Sequence, residues 1–582
     1  MRSRAGRALP AVCALGALIL TGCAGIPSSG PVHEAGNVVD ERGEPFTRII
    51  AAGPVANMTQ QQIVAGFLQA SASFDDNHAV ARQFLTGDRA RDWNADAGAI
   101  VYYSDTSQGG SVQYTQGGPD TITFTAPQAG VLSAQGAYTG TPPGTIATAD
   151  FRFAKVAGQW RISKLPSGLL LTTNDVGRAY RQYDIYFPNP TRTVVVPDQI
   201  LVPVGPGAST SLVRALLAGP TPWLAKAVRS AIPTGTKLVV DSVPIQGGVV
   251  QVDLTAPAAN VARLEAQAMS AQFAWTLRQL SGVTTMRITV DGVPLRVPSV
   301  GDTQNILGWP SFDPDGGTAD ADAYAVAKGR AVILHDNKIQ PVPGPLGDGA
   351  IPVSQVVPSF DGSEVAALDT DRRRLLVSKV SADSRAQVLV QGTALSSPSW
   401  DRLGGVWVVD RTGATSSVWE TVPGTAPRRV TVQGLPADGT VRVLRLARDG
   451  VRVAALVEDS HGVGQLYIGR VERSGTSLAL AGFRLVNTGF VQSTDFAWGT
   501  ADRLVVLGQS KPSDAAQPWL VDLNGTVEQG LGPAAGGQPM VSVAAAPTHP
   551  PLASTADGTL LWYTGFGWDS SLGAGAYPAY PG

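Results

Sequence analysis

From Tyr324 onward the chain is a succession of short apolar strands broken by Gly/Asp turns, and few folds accept that texture. Val332-Ile-Leu334 is the first such strand. "SFDGSEVAAL" then starts at Ser359, "SWDRLGGVWVVD" at Ser399, "LARDGVRVAALV" at Leu446, "FAWGTADRLVVL" at Phe496 and "AAPTHPPLASTADGTLLWY" at Ala545. Each joins an apolar or aromatic residue to a polar turn and then to a Val/Ala/Leu strand. The anchors Phe360, Trp400, Leu446 and Phe496 stand 40, 46 and 50 residues apart. A small sheet of that length cannot bury both its faces alone, whereas radial stacking buries them and leaves only short edges. Residues 323–582 therefore predict an all-β propeller of about six blades. A pair of β-sandwiches is the competing fold. Trp407, Trp419, Trp519 and Trp562 read first as packing between blades and second as a sugar-binding surface.

The other end of the chain fixes location. Arg2, Arg4 and Arg7 precede an apolar run from Ala8 to Leu20, which is a charged n-region and an h-region of signal-peptide length, too short to span a bilayer. Thr21-Gly22 then precedes Cys23, an arrangement that resembles the bacterial lipobox. The resemblance implies removal of residues 1–22 and attachment of diacylglycerol and an N-acyl chain to Cys23. More than one acyl chain makes stable membrane anchoring. Loss of Arg2, Arg4 and Arg7 moves the formal charge from −2 to −5, and no basic stripe for nucleic acid is present. Cys13 falls in the removed part and Cys23 carries lipid, so the folded body has no disulfide to rely on. Residues 23–56, rich in Gly, Pro and Ser (Pro27-Ser-Ser-Gly-Pro31, Gly53-Pro54), read as the lipidated N-terminus and a flexible tether.

Two α+β domains are expected between tether and propeller. Residues 57–179 begin with a capping box, Thr59 with Gln62, ahead of Ile63, Val64, Phe67 and Leu68 at helical spacing. A second short helix is expected near Asp76 to Leu85, with Val80 and Phe84 on one face. Strands follow at 99–103, 121–125, 151–153 and 160–162. "GQWRISKLPSGLLLT" (Gly158 to Thr172) resembles the last strands of domains similar to nuclear transport factor 2 (NTF2-like); another small α+β topology stays open.

Residues 180–298 show a β-α-β-β-α-β order. A strand at Leu201–Val204 meets a Pro206-Gly207 turn. A helix capped by Ser209 or Thr210 carries Leu212, Val213, Leu216 and Leu217, and Gly219-Pro220 ends it. "KLVVDSV" (Lys237 to Val243) and "VVQVDL" read as strands, the latter with Val250, Val252 and Leu254 on one face. A longer helix carries Met269, Phe273, Leu277 and Leu280. "AGPTPWLAKAVRSAIPTGTKLVVDSV", "VVQVDL" and "AQFAWTLRQLSGVTTMRITVDG" resemble the GerMN domain of sporulation lipoproteins. That likeness carries no catalytic group, and Asp253 reads as a solvated or turn-binding residue. Residues 299–322 form an acidic linker. Its Asp313, Asp315, Asp320 and Asp322 lack the order of a calcium loop and suggest a flexible junction.

The search for chemistry yields no constellation. His33, His78, His335, His461 and His549 are scattered without metal-ligand spacing and read as tether, surface or turn residues. Neither a phosphate-cradling glycine motif nor a nucleophile elbow is present. The expectation is a non-enzyme with no cofactor and no metal.

The full arrangement of lipobox, α+β domain, GerMN domain and propeller resembles the LpqB lipoproteins of actinobacteria. The resemblance implies a lipoprotein on the extracytoplasmic face of the cell membrane, acting as accessory to the MtrA–MtrB two-component system. Its partner would be the extracytoplasmic domain of the MtrB-like histidine kinase, with effects on cell-wall homeostasis and division. A glycan-binding lipoprotein, using Trp407, Tyr563 or Trp568 as a platform, is the alternative, and a cell-wall hydrolase is the third reading.

Overall fold

Thr59 opens the first helix as its spacing to Gln62 demands. The Gln62 amide donates to Thr59 Oγ1 at 3.2 Å, and the Thr59 amide donates to Gln62 Oε1 at 2.8 Å. The computed structural model describes residues 51–582 apart from 106–110, 143, 206, 260, 318–320 and 336–337. The signal sequence, Cys23, most of the tether, Pro206 and Asp320 lie outside the described residues. The helix Gln60–Ser71 lays Ile63, Val64, Phe67 and Leu68 on a twisted sheet. Its strands run in the order Gln159–Lys164, Ile146–Val156, Thr121–Leu132, Ala99–Tyr102 and Leu169–Thr172. All neighbours are antiparallel except the last pair.

The expected helix over 76–85 is cut to Ala79–Arg82. Asp76, Asn77 and His78 sit at φ 47, 54 and 58°, the left-handed region, which a right-handed helix cannot include. The break turns the His78 ring inward beside Phe74 and Trp93. His78 is therefore buried, which corrects its reading as a surface or turn residue, and burial pushes its imidazole pKa down.

In the second domain a hairpin, Tyr180–Pro188 with Val195–Pro203, precedes the helix Ala208–Ala218. Val249–Leu254 and Thr285–Val290 pair in parallel, as the intervening helix Arg263–Leu277 requires. That helix is buried nearly all round, and its polar side chains, with Gln279 just beyond its end, serve the free edge of the hairpin. Gln279 and Thr276 bind the backbone of Asp184 and Tyr186, and Gln272 bridges the Ala231 amide and the Tyr186 carbonyl. Strand edges left bare would recruit other chains, and here side chains occupy this one.

The expected strand at 237–243 is not a regular ladder. Val239 binds the Asp253 carbonyl and Lys237 accepts from Thr255, but a tight turn at Val240–Ser242 bulges the segment outward and leaves Val240 66% exposed. Asp253 holds the following turn, accepting from Thr289 Oγ1 at 2.6 Å and from the Gly292 amide at 3.0 Å. The acidic junction is packed rather than free over its described length. Thr303–Asn305 adds a strand beside Thr285–Val290, and the Trp309 carbonyl takes the Trp275 indole N–H.

The remainder is rich in β-sheet and consistent with a propeller. Four sheets have four strands each, and an eight-stranded sheet consists of two four-stranded meanders joined by a short parallel contact, Thr431–Val432 with Ala479–Leu480. The anchors fall on, or just after, the first strand of their four-stranded meanders: Val353–Pro358, Ser399–Trp400, Thr440–Leu446 and Gln492–Thr500. These first strands touch one another in chain order. The late strand Ala576–Ala579 pairs with Ala323–Ala327 and closes the ring.

Candidate functional site

The first strands surround an axial cavity of about 280 Å³. Among the described residues five arginines line it (Arg372, Arg411, Arg442, Arg445 and Arg448) against one side-chain carboxylate, Asp495. Asp495 is spoken for: Arg445 Nη2 stands 3.0 Å from it and the Val543 amide donates to it at 2.9 Å. Burial raises the Asp495 pKa despite that pairing.

Strand direction sorts the other four. Arg442 lies near the start of Thr440–Leu446 and Arg448 just beyond its end, about 20 Å apart at the rise of an extended strand. Arg372 sits in the turn after Asp369, which pairs with Val353 at the start of its own first strand. The Arg411 amide binds the Ala394 carbonyl just ahead of Ser399–Trp400. Arg372, Arg411 and Arg442 therefore share one mouth. Phe360, Arg402 and Arg448 share the other, where both guanidinium groups stack on the Phe360 ring.

The Arg448 mouth is capped by the second domain and its junction. Arg402 donates to the Gly316 carbonyl at 2.9 Å, and Pro314 and Asp315 lie against Arg448, Asp449 and Arg452. Trp223 donates to the Gly482 carbonyl at 2.6 Å and Asn524 to Gln182 Oε1 at 2.6 Å. The turns here are built by aspartates of the repeat. Asp401 accepts from the Leu403 and Gly405 amides and the Trp407 indole, and Asp449 accepts from the Val451 and Arg452 amides. Asp449 also pairs with the fully buried Arg452 at 2.7 Å, and Asp401 with Arg473 at 2.6 Å. Burial raises Asp315 to about 7, and burial lowers Arg448 to about 10.

The opposite mouth is lined by no residue of the first two domains, among the described residues. Arg442 pairs with Glu458 at 2.6 Å, and Arg372 reaches Tyr577 Oη at 3.4 Å. Among the described residues Arg411 has no hydrogen bond through its guanidinium, and its Nε is buried without a partner. Burial lowers the Arg411 pKa, and the positive charges of Arg442 and Arg372 add to the shift. Sequence reasoning missed these arginines. They come from three different four-stranded meanders, at positions that the anchor spacing does not mark.

The aromatic platform fares otherwise. Trp407 is fully buried and its N–H is taken by Asp401, so it presents nothing to a sugar. Trp568 donates its N–H to the Leu531 and Gly532 carbonyls and packs on Tyr563. His335 meets Asp322 at 2.8 Å on the surface, and His549 stacks on Tyr580. Among the described residues no group of three His, Cys, Asp or Glu could hold a metal ion.

Three family descriptions match the chain: "Lipoprotein LpqB, N-terminal domain" over residues 53–177, "Sporulation and spore germination" over 184–296, and "Lipoprotein LpqB beta-propeller domain" over 329–581. Lipoprotein LpqB of Thermobifida fusca is 32% identical over 616 residues, covering 97% of each chain. Lipoprotein LpqB of Streptomyces avermitilis is 30% identical, covering 100% of this chain and 99% of its own. Among solved structures, TolB from Acinetobacter baumannii aligns at 14% identity and a TM-score of 0.34, over 47% of this chain and 69% of its own.

Proposed function

Since the chain belongs to the LpqB lipoprotein family, we propose that it is a non-enzymatic accessory of an MtrB-type sensor kinase, held at the extracytoplasmic face of the cell membrane by lipid on Cys23. The observation that carries this reading is the end-to-end match to that family, whose three modules here are scaffolds rather than catalytic domains. The finer architecture belongs to the same reading: an NTF2-like first domain and a propeller of six blades. The axial cavity fits it too. Glycoside hydrolysis needs two carboxyl groups across the scissile bond, and among the described residues lining this cavity the one acidic side chain is Asp495, already bound to Arg445.

Lipid on Cys23 confines the protein to the layer that holds the kinase and raises the effective concentration of each for the other. To modulate signalling, the protein must bind one kinase conformation better than the other, because equal binding shifts nothing. Cell-wall homeostasis and division are the processes such a kinase would adjust. The test is the affinity of the full lipidated chain in nanodiscs for the purified extracytoplasmic domain of the MtrB-like kinase. Saturable binding in the micromolar range, about −8 kcal/mol, is expected. No binding with the kinase domain at about 100 micromolar removes the reading. Cys23→Ala should release the protein from membranes while leaving that soluble affinity intact.

A further inference from the structure

We propose that the uncapped mouth of the axial cavity, formed by Arg372, Arg411 and Arg442, is a docking site for an acidic peptide segment of the protein partner. The inference rests on the accessory reading, in that the partner is a protein, and adds where and by what chemistry it is held.

Like charges are not gathered without an anion to repay the repulsion. Two guanidinium groups face Arg411 and help to lower its pKa, and the opposing carboxylate, Glu458, is engaged bidentately by Arg442. Arg411 has a buried, unpartnered Nε, which in a folded protein calls for an explanation. A carboxylate supplies it: the planar guanidinium fork donates two parallel hydrogen bonds to one carboxylate, at about twice the strength of neutral pairs.

The cavity behind the mouth argues for a peptide over a free inorganic anion. Its walls carry Val443, Val541 and Pro578 beside the hydroxyls of Ser396 and Ser399. Such mixed lining suits a side chain or chain tip bearing a carboxylate, with apolar atoms following the charge inward. At about 280 Å³ it holds the tip of a segment and not a domain. The Arg445–Asp495 pair balances the wall charge directly behind it, so the positive charge of the open mouth stands apart from that of Arg448 at the far end.

The test uses the full chain in nanodiscs and a fluorescent hexaglutamate peptide, with hexalysine, hexaasparagine and inorganic phosphate as comparators. Hexaglutamate should bind saturably and the other two peptides should not. R411Q should weaken binding about tenfold, the size of one charge-assisted contact, and R372Q/R411Q/R442Q should abolish it. Binding should also weaken steeply with salt. The reversed variant R372E/R411E/R442E should gain hexalysine binding, a result that loss of folding cannot produce. Hexaglutamate that binds the triple glutamine variant as well as the parent overturns the proposal, as does displacement by phosphate at equal charge concentration. Kinase-domain binding that is unchanged in the triple variant also overturns it while leaving the accessory reading in place. Arginine-dependent hexaglutamate binding without any kinase binding upholds the site and removes the kinase as partner.

Discussion

The two mouths of the axial cavity use the same residue type and treat it oppositely. At the capped mouth the arginines are mostly answered: Arg452 has Asp449, Arg473 has Asp401, and Arg402 has the Gly316 and Arg448 carbonyls, while Arg448 rests on the Phe360 ring and one nitrogen of Arg452, Nη2, is buried without a partner. At the open mouth Arg442 has Glu458, but Arg372 has a long bond to the Tyr577 phenol and a place over its ring, and Arg411 has no side-chain partner among the described residues. The first arrangement is structural, because burying a cation without its anion is among the costliest things a fold can do. The second is kept at some cost to the folded state, as binding surfaces are. The difference teaches that an arginine is read by its partners and not by its burial.

The largest effect should come from breaking the capped mouth at its centre. Asp449→Ala strands Arg452 in the interior with no counter-charge and removes the acceptor for two backbone amides. Stability should fall by about 3–5 kcal/mol in urea unfolding. Asp449→Leu combined with Arg452→Met should recover much of that loss, since a buried pair can be replaced by apolar packing. Next is Trp223→Ala, which removes the bond to Gly482 and the ring under Arg484. A loss of about 2–3 kcal/mol is expected, smaller than for a fully buried Trp because this one is half-buried. It should show as earlier proteolysis between the second domain and the β-rich region. Equal losses at Arg411 would erase the distinction between the mouths.

A third effect depends on pH. Folding raises Asp315 from 3.8 to about 7, burial being the chief cause, and Asp184 likewise to about 7. Between pH 4 and 7 the folded molecule therefore holds protons that the unfolded chain has released. Stability should fall as pH rises through that window and level off above it. Asp315→Asn should flatten part of the slope, leaving the variant matched to the parent near pH 4 and more stable at pH 7.5. Melting temperatures across pH 4–8 measure this, and a slope that steepens in the variant would reverse the assignment.

What the sequence made legible follows from what repeats. The anchors Trp400, Leu446 and Phe496 recur because each first strand must fill the same space, and they are buried as expected. Asp401 and Asp449 recur because each turn needs the same acceptor. The capping box at Thr59 and the alternation of Val250, Val252 and Leu254 are local rules and were readable for that reason. His78 was not readable, because its burial depends on three left-handed residues that no periodicity announces. The bulge at Val240 and the packing of the acidic junction are likewise tertiary outcomes. The arginine mouth is the extreme case, assembled from positions 372, 411 and 442 by ring closure alone.

The smallest stability effect should be at Arg411 itself, and it is the sharpest test of the contrast. Replacing Arg411 by Gln removes no hydrogen bond of its guanidinium, relieves repulsion from Arg372 and Arg442, and withdraws a partly buried charge. Each consequence is neutral or favourable to folding, so unfolding free energy should stay within about 0.5 kcal/mol of the parent or rise slightly. Arg452 offers the counterpart: its loss to Gln leaves Asp449 without its charge partner in the interior, and stability should drop severalfold more. The two substitutions are chemically identical, one at the open mouth of the axial cavity and the other in the packed turn region behind its capped mouth. A chain that tolerates the first and not the second holds Arg452 for its fold and Arg411 for what comes to the mouth.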